Sequence, residues 1–402
     1  MPSIVWILLL LFVVMVVFLV VLVLCLYRNP EKYTIVRSMY PPLSRKQQQD
    51  AGTCMSYDQC QQSCQKGTLL LSTNVIYCYW LYPVEQEPSL ADWDASDIKQ
   101  RFKDAIDSGY NIVNLSFYEY QPPSPDRVGA YGKFMWLSPE ERTEIVEYAH
   151  ARKVRLLVSA GGAAGTSSFR EGTYKDIADD LYNVIESNHL DGLDIDIEAT
   201  DLFDKIIDIT NYLGEKWKGK DRWITHAPQS ANFGNNTGSP SDYFTVYQKC
   251  GQYIDYLNIQ FYNQGCNHET CETLFGECVY NCWNMAWIST GKAFPTSIQS
   301  EPVPCTKPYG SVIPLDKIII GKPICGQQCQ YGGSNGYMEP DLLARCINSA
   351  YGDYHWRTGL MIWAYVPSDV VFPLPDGSQY NAAQYLSVLN SKLTIPDEDV
   401  FG

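Results

Sequence analysis

The chain has 402 residues, enough for one large domain, and a net charge of −15. An acidic chain without a basic stripe repels phosphates, so nucleic acid is excluded as the expected partner. The 29 Tyr and 10 Trp are compatible with rings that stack on sugars, or with an aromatic core.

Residues Ser3–Tyr27 carry no charge and are apolar almost throughout, long enough to cross a bilayer as a helix. No basic start and no small-residue cleavage site accompany them, so the run reads as a retained single-pass anchor over residues 1–27. Arg28, Lys32 and Arg37 follow it and no Lys or Arg precedes it, which by the positive-inside rule keeps the following domain cytoplasmic. Cysteine usage points the other way. Of 14 cysteines only Cys25 lies in the run, and the 13 beyond it suit an oxidising compartment. Long domains translocate largely regardless of flanking charge, so the cysteines carry more weight. The expected location is a membrane, with the large domain lumenal, extracellular or on a virion surface.

Residues 28–73 read as a juxtamembrane stalk, with Pro41-Pro42, the run Gln47-Gln48-Gln49, and Cys54, Cys60 and Cys64, any one of which could pair with Cys78. From there to residue 396, short apolar runs alternate with amphipathic stretches, and 397–402 is a tail. Strands are expected near 74–82, 111–118, 154–160, 191–198, 223–228, 255–262, 316–323 and 359–366. Ser138-Pro139-Glu140-Glu141 is a capping box with proline at the first helical position. Helical patterns also cover 174–188, 200–216, 339–350 and 380–393. Eight strands alternating with helices imply an α/β fold, a closed (β/α)8 TIM barrel. An open doubly wound sheet is the alternative.

The segment Asp191-Gly192-Leu193-Asp194-Ile195-Asp196-Ile197-Glu198 carries the chemistry. On a strand, side chains alternate faces, so Asp194, Asp196 and Glu198 share one face and Leu193, Ile195 and Ile197 the other. In a barrel the acidic face points inward. Crowded carboxylates cannot all ionise cheaply, and one holds its proton toward neutrality, as a general acid must. A solvated edge strand would not need the regular Leu/Ile face. A transition-metal site lacks a neighbouring histidine, so no metal is expected. Gly161-Gly162-Ala163-Ala164-Gly165 lacks the Lys-Ser/Thr of a phosphate loop, and no cofactor is expected.

This segment resembles the D-x-x-D-x-D-x-E signature of glycoside hydrolase family 18. The likeness extends over about 74–394. Ser159-Ala160-Gly161-Gly162 resembles the family's S-x-G-G element, Ala227-Pro228-Gln229 its A-P-E/Q element, and Gln260-Phe261-Tyr262-Asn263 the Q-F-Y-N of its short plant-type and bacterial branches. Gly359-Leu360-Met361-Ile362-Trp363 is similar to its eighth strand. From composition alone, Tyr262 and Trp363 read as core.

The resemblance implies an endo-acting, retaining chitinase that cleaves β-1,4-N-acetylglucosamine linkages by substrate-assisted hydrolysis. In that reading Glu198 is the acid, Asp196 orients the acetamido group, Asp194 shares a proton with Asp196, and Tyr262 bonds the acetamido carbonyl. Trp363, Gln260, Asn263, Gln229, Gly161, Gly162 and Asp191 would contact substrate. Asn263 stands where many relatives carry Asp, which implies a lower local negative charge. About 35 residues separate the last two strands, too few for the extra α+β module of longer relatives, and this implies a shallower groove. An endo-β-N-acetylglucosaminidase on N-glycans and a membrane- or virion-displayed chitin-binding attachment protein are the alternatives. Cys266, Cys271, Cys278 and Cys282, with Cys325 and Cys329, lack paired C-x-x-C units and read as loop disulfides rather than zinc ligands. Asn235-Asn236-Thr237 is a glycosylation sequon, whereas that at Asn114 falls in an expected strand.

Overall fold

The structure is a computed structural model. It describes residues 71–121, 129–233, 243–264, 268–275, 284–290, 313–327, 329–371, 373 and 380–394. The expected anchor over 1–27, nearly all of the stalk and the tail lie outside these residues, as do Cys266, Cys278, Cys282 and Asn235. No helix among the described residues is long and apolar enough to cross a membrane.

Eight parallel strands close into a barrel in sequence order: β1 Thr73–Cys78, β2 Ile112–Tyr118, β3 Arg155–Gly161, β4 Gly192–Asp196, β5 Trp223–His226, β6 Tyr256–Gln260, β7 Ile318–Pro323 and β8 Gly359–Trp363. Six fall within the runs expected from the sequence, β1 begins one residue before its run and β3 ends one residue after its own. Ring closure through β1 and β8 excludes the open sheet. The longer described helices are α1 Ala95–Ile106, α2 Ala130–Trp136, α3 Pro139–Ala151, α4 Tyr174–Ser187, α5 Phe203–Lys216, α6 Tyr243–Cys250, α7 Pro340–Tyr354 and, after the last strand, α8 Ala382–Lys392.

Local signals account for several helix starts. The Ser138–Glu141 capping box forms at α3, Thr173 with Asp176 makes one at α4, and Asn381 with Gln384 makes one at α8. Asp94 caps α1 by accepting from the Asp97 amide at 2.9 Å. This helix buries Ile98, Phe102, Ala105 and Ile106, a stripe at helical spacing.

Strand parity divides the core in two. Leu193, Ile195 and Ile197 join the large apolar layer between strands and helices, while Val75, Tyr77, Ile112, Leu157, Ile319 and Met361 fill the barrel. Above that floor the interior turns polar. The register aligns Ser116, Ser159, Asp194 and Thr225 across four successive strands. A barrel interior is ordinarily filled by branched apolar side chains, so a buried polar layer marks the end at which chemistry is placed.

Two disulfides are described. Cys271–Cys346 ties the helical turn after β6 to α7, and Cys325–Cys329 closes a short loop after β7. Cys78 is a free, buried thiol, so it does not pair with Cys54, Cys60 or Cys64. Its side chain packs in the apolar layer between strands and helices. Asn114 is fully buried, which denies its sequon to glycosylation in the folded chain.

Candidate active site

At the carboxyl ends of the strands lies a cavity of about 550 Å³. Among its lining residues are Asp196, Glu198, Gln229, Gln260, Tyr262, Asn263, Trp363 and Gly161. Eight of the eleven site residues expected from the sequence thus meet at one cavity, although they come from five strands.

The carboxylates form a ladder of increasing exposure. Asp194, at the bottom, is fully buried and does not reach the cavity. It accepts four hydrogen bonds: from Tyr77 Oη at 2.7 Å, Ser159 Oγ at 2.7 Å, Thr225 Oγ1 at 2.6 Å and Asn258 Nδ2 at 3.0 Å. Burial raises its pKa, and these donors oppose the rise by stabilising the charged form. Asp196 accepts from Gln260 Nε2 at 2.9 Å. Burial first, then the charges of Glu198 and Asp194, raise its pKa well above the usual carboxylate range. Glu198 accepts from Gln229 Nε2 at 3.1 Å and is only partly buried. Burial raises its pKa too, against the amides of Gln260 and Gln229. With four donors committed to Asp194, the upward shift is greatest at Asp196, between the other two carboxyls.

The main chain departs from the simplest reading at one point. β4 ends at Asp196, so Glu198 stands two residues beyond the strand rather than closing it. Ile197 still packs into the outer layer, and so the alternation carries Glu198 to the cavity side. There its amide donates to Thr166 Oγ1 at 3.3 Å.

Gly161 has a φ of 111°, and a Cβ there would sit 2.4 Å from the Asp196 carbonyl oxygen. Glycine is what lets β3 end this close to β4. Gly162, with φ 70°, abuts the Phe117 ring instead of lining the cavity. Asn263 has a φ of 55°. Its side chain is committed to the loop after β7, donating to Ser334 Oγ at 2.9 Å and accepting from the Asn335 amide at 3.0 Å. Trp363 ends β8 within an aromatic cluster, stacked on Phe117 at 5.6 Å and tilted against Trp80 at 5.7 Å.

Asp191 is not brought to this group. It precedes β4, at the opposite end of the strand from the cavity, where it accepts from the Leu156 amide at 2.8 Å and meets His150 Nε2 at 3.0 Å. Its place in the motif is that of a clip between β3, β4 and the end of α3, not of a substrate contact.

Sequence reasoning missed Tyr79, Phe117, Glu119, Gly129, Ala163, Ala164 and Gly165, all of which line the cavity. Tyr79 follows the parity of Val75 and Tyr77 and was there to be found. Phe117 and Glu119 were not. A register shift between Ser116 and Tyr118 inverts the alternation of β2 at its end. Tyr118 therefore packs outward and Phe117 inward. Among the described residues, no group of three or more His, Cys, Asp and Glu could hold a metal ion.

The model of the family described as Glycosyl hydrolases family 18 matches residues 75–393. A chitinase of Enterococcus faecalis is 23% identical over 271 residues, 64% of this chain and 72% of its own length. Chitinase D of Niallia circulans is 25% identical over 184 residues, 40% of this chain and 34% of its own. Among solved structures, a GH18 chitinase from Pseudoalteromonas aurantia aligns with a TM-score of 0.55 at 20% identity, covering 80% of this chain and 100% of that one. A fungal endo-beta-N-acetylglucosaminidase of glycosyl hydrolase family 18 aligns with a TM-score of 0.51 at 17% identity, covering 81% and 98%. At these identities the structural likeness concerns the barrel alone.

Proposed function

The chain belongs to glycosyl hydrolases family 18 and is a glycoside hydrolase, and from that premise we propose that it is an endo-acting, retaining chitinase. The observation that carries the reading is the carboxylate ladder opening into a cavity beside Tyr262 and Trp363. In the proposed reaction Glu198, kept protonated by burial, gives its proton to the glycosidic oxygen as the bond to the anomeric carbon breaks. The substrate's own 2-acetamido oxygen closes on that carbon from the opposite side, forming an oxazolinium ion. Asp196 accepts the acetamido N–H and offsets the positive charge. Tyr262 donates to the acetamido oxygen, and Trp363 stacks against the sugar ring. Water, deprotonated by Glu198, then attacks the anomeric carbon and breaks its bond to the acetamido oxygen, opening the oxazolinium ring with net retention. Asp194, held in place by its four donors, shares a proton with Asp196 and lets it turn between its two neighbours.

The related sequences are named chitinases, and this supports β-1,4-linked N-acetylglucosamine as the substrate. Endo action is supported by the short connection between β7 and β8. Residues 324–358 hold α7 and a disulfide-closed loop, with no added domain to wall the cavity. The test is a parallel digest of chitin oligomers and an N-glycoprotein, with product masses and the first anomer formed read out. Internal cleavage of the oligomer with an initial β-anomer is expected. Release of N-glycans alone would move the substrate to the core of glycoproteins, and binding without turnover would leave an attachment protein.

The same proposal places the enzyme on a membrane through residues 1–27, with the barrel in an oxidising compartment. Its support is the apolar, uncharged run Ser3–Tyr27 together with the pairing of Cys271 with Cys346 and of Cys325 with Cys329. Non-reducing mass mapping of native protein is the check. Reduced thiols at all four positions would return the barrel to a reducing compartment.

A further inference from the structure

We propose that Lys322 is a positioning residue for the reaction: by holding the main chain at Phe261 it aims the adjoining Tyr262 into the cavity. The inference rests on the role given to Tyr262 above.

Lys322 lies on β7, where Ile319 faces the barrel interior and Ile318 and Ile320 face the helices. By parity Lys322 shares the outer face with Ile318 and Ile320, and it is fully buried. Its Nζ donates to the carbonyl of Phe261 at 3.1 Å and to that of His268 at 2.8 Å. Burial pulls the amine down to about 7, and Glu269 works against that pull. A leucine or methionine would fill the same space without the penalty of an interior amine. What they lack is the pair of donors.

Those donors act where the site needs a fixed backbone. Beyond β6 the chain must turn while keeping the Tyr262 ring in the cavity. Phe261 is held at both ends by β7: its amide donates to the Gly321 carbonyl at 3.1 Å and its carbonyl takes the Lys322 proton. One residue past Tyr262, Asn263 is held by the loop after β7, its amide donating to the Asn335 carbonyl at 3.0 Å. Tyr262 is thus suspended between two anchors, and Lys322 is the side chain in the first. Through His268 it also grips the returning segment, whose Glu269 carboxylate accepts from the Gly336 amide at 3.1 Å.

The test is a double-mutant cycle on a soluble chitin oligomer with Lys322→Met, Tyr262→Phe and the pair. Small misplacements of a reacting group cost about ten- to a hundredfold in rate. Lys322→Met is therefore expected to lower kcat per folded molecule by about that factor, with KM moving by less than about threefold. The paired variant should be no slower than Tyr262→Phe alone. A lysine that only stabilises the fold would lower the thermal midpoint and leave kcat per folded molecule unchanged. That outcome, or losses that multiply in the paired variant, overturns the proposal. Should Lys322→Met fail to fold, Lys322→Gln, which keeps an N–H for one carbonyl, replaces it in the cycle. A wild type active only on the N-glycoprotein corrects the substrate, and the cycle is run on that. A wild type inactive on both overturns the parent reading and this one together, whereas an active wild type with a kcat-neutral Lys322→Met overturns this one alone.

Discussion

Glu198 and Gln229 make the chemistry testable at the scale of single residues. Glu198→Gln keeps the shape of the site and removes the proton, so kcat should fall by about 10²–10⁴-fold while oligomer affinity persists. Turnover and affinity measured on the same preparation decide it, and near-wild-type turnover removes Glu198 from the acid's role. Gln229 acts through charge. Its amide stabilises the ionised form of Glu198. Gln229→Leu removes that preference, so Glu198 stays protonated to higher pH. The acid must be protonated to work, and the alkaline limb of kcat/KM should therefore move up. One hydrogen bond is worth about 1 kcal/mol, which corresponds to roughly 0.5–1 pH unit. A downward shift would show that Gln229 does not act on the acid.

At the scale of elements, the site depends on how closely two strands approach. Gly161→Ala places a Cβ against the Asp196 carbonyl and forces a side chain into a backbone conformation that suits glycine. The backbone alone should cost about 1–3 kcal/mol, and activity should fall further because Asp196 is displaced. Denaturant unfolding and kcat measured together check both. The Cys271–Cys346 disulfide spans 75 residues of sequence. Replacing both cysteines by serine should lower stability by about 2–4 kcal/mol while sparing kcat, because neither residue lines the cavity. Elements were largely legible in advance, since eight apolar runs and their caps are local signals. The end of β2 was not. Its alternation inverts through a register shift imposed by pairing with β3, and no periodicity within β2 encodes that.

The whole molecule carries an acid sensitivity centred on His226. This ring is fully buried between Thr210 Oγ1 at 3.0 Å and Tyr243 Oη at 2.7 Å. Burial holds its pKa near about 3, against 6.5 for an ordinary histidine. The folded state thus prefers the neutral ring. That contribution is complete above about 6.5 and is lost as pH falls toward about 3. The buried carboxylates Asp194, Asp196 and Glu198 work in the opposite sense, because their raised pKa values favour protonation in the folded state. The slope of unfolding free energy against pH across that window should therefore be less positive in His226→Gln than in wild type. An unchanged slope would assign the acid limb to other groups. The barrel also has its own closed sheet and core. Deleting residues 1–30, which include the anchor proposed above, should therefore leave an active enzyme, and on that proposal it no longer sediments with membranes. A folded but inactive product would show that the deleted segment contributes to catalysis.

The sequence by itself determined the eight alternating strands and the identity of the carboxylate ladder, while closure of the sheet into a barrel is seen only in the pairing of β1 with β8. Strand parity is local: Asp194, Asp196 and Glu198 face one way because Leu193, Ile195 and Ile197 must face the other. The tertiary structure decided which members of the motif work together. Asp191 sits in the same eight-residue signature, yet strand length carries it to the far end of the barrel and into a bond with the Leu156 amide. Tyr77, Ser159, Thr225 and Asn258 converge on Asp194 from four strands, a set that no sequence spacing contains. Asn263, at the cavity's edge, also fastens a loop 72 positions further along the chain. Face and periodicity are properties of one strand, whereas depth in the barrel and partners across it exist only once the sheet has closed.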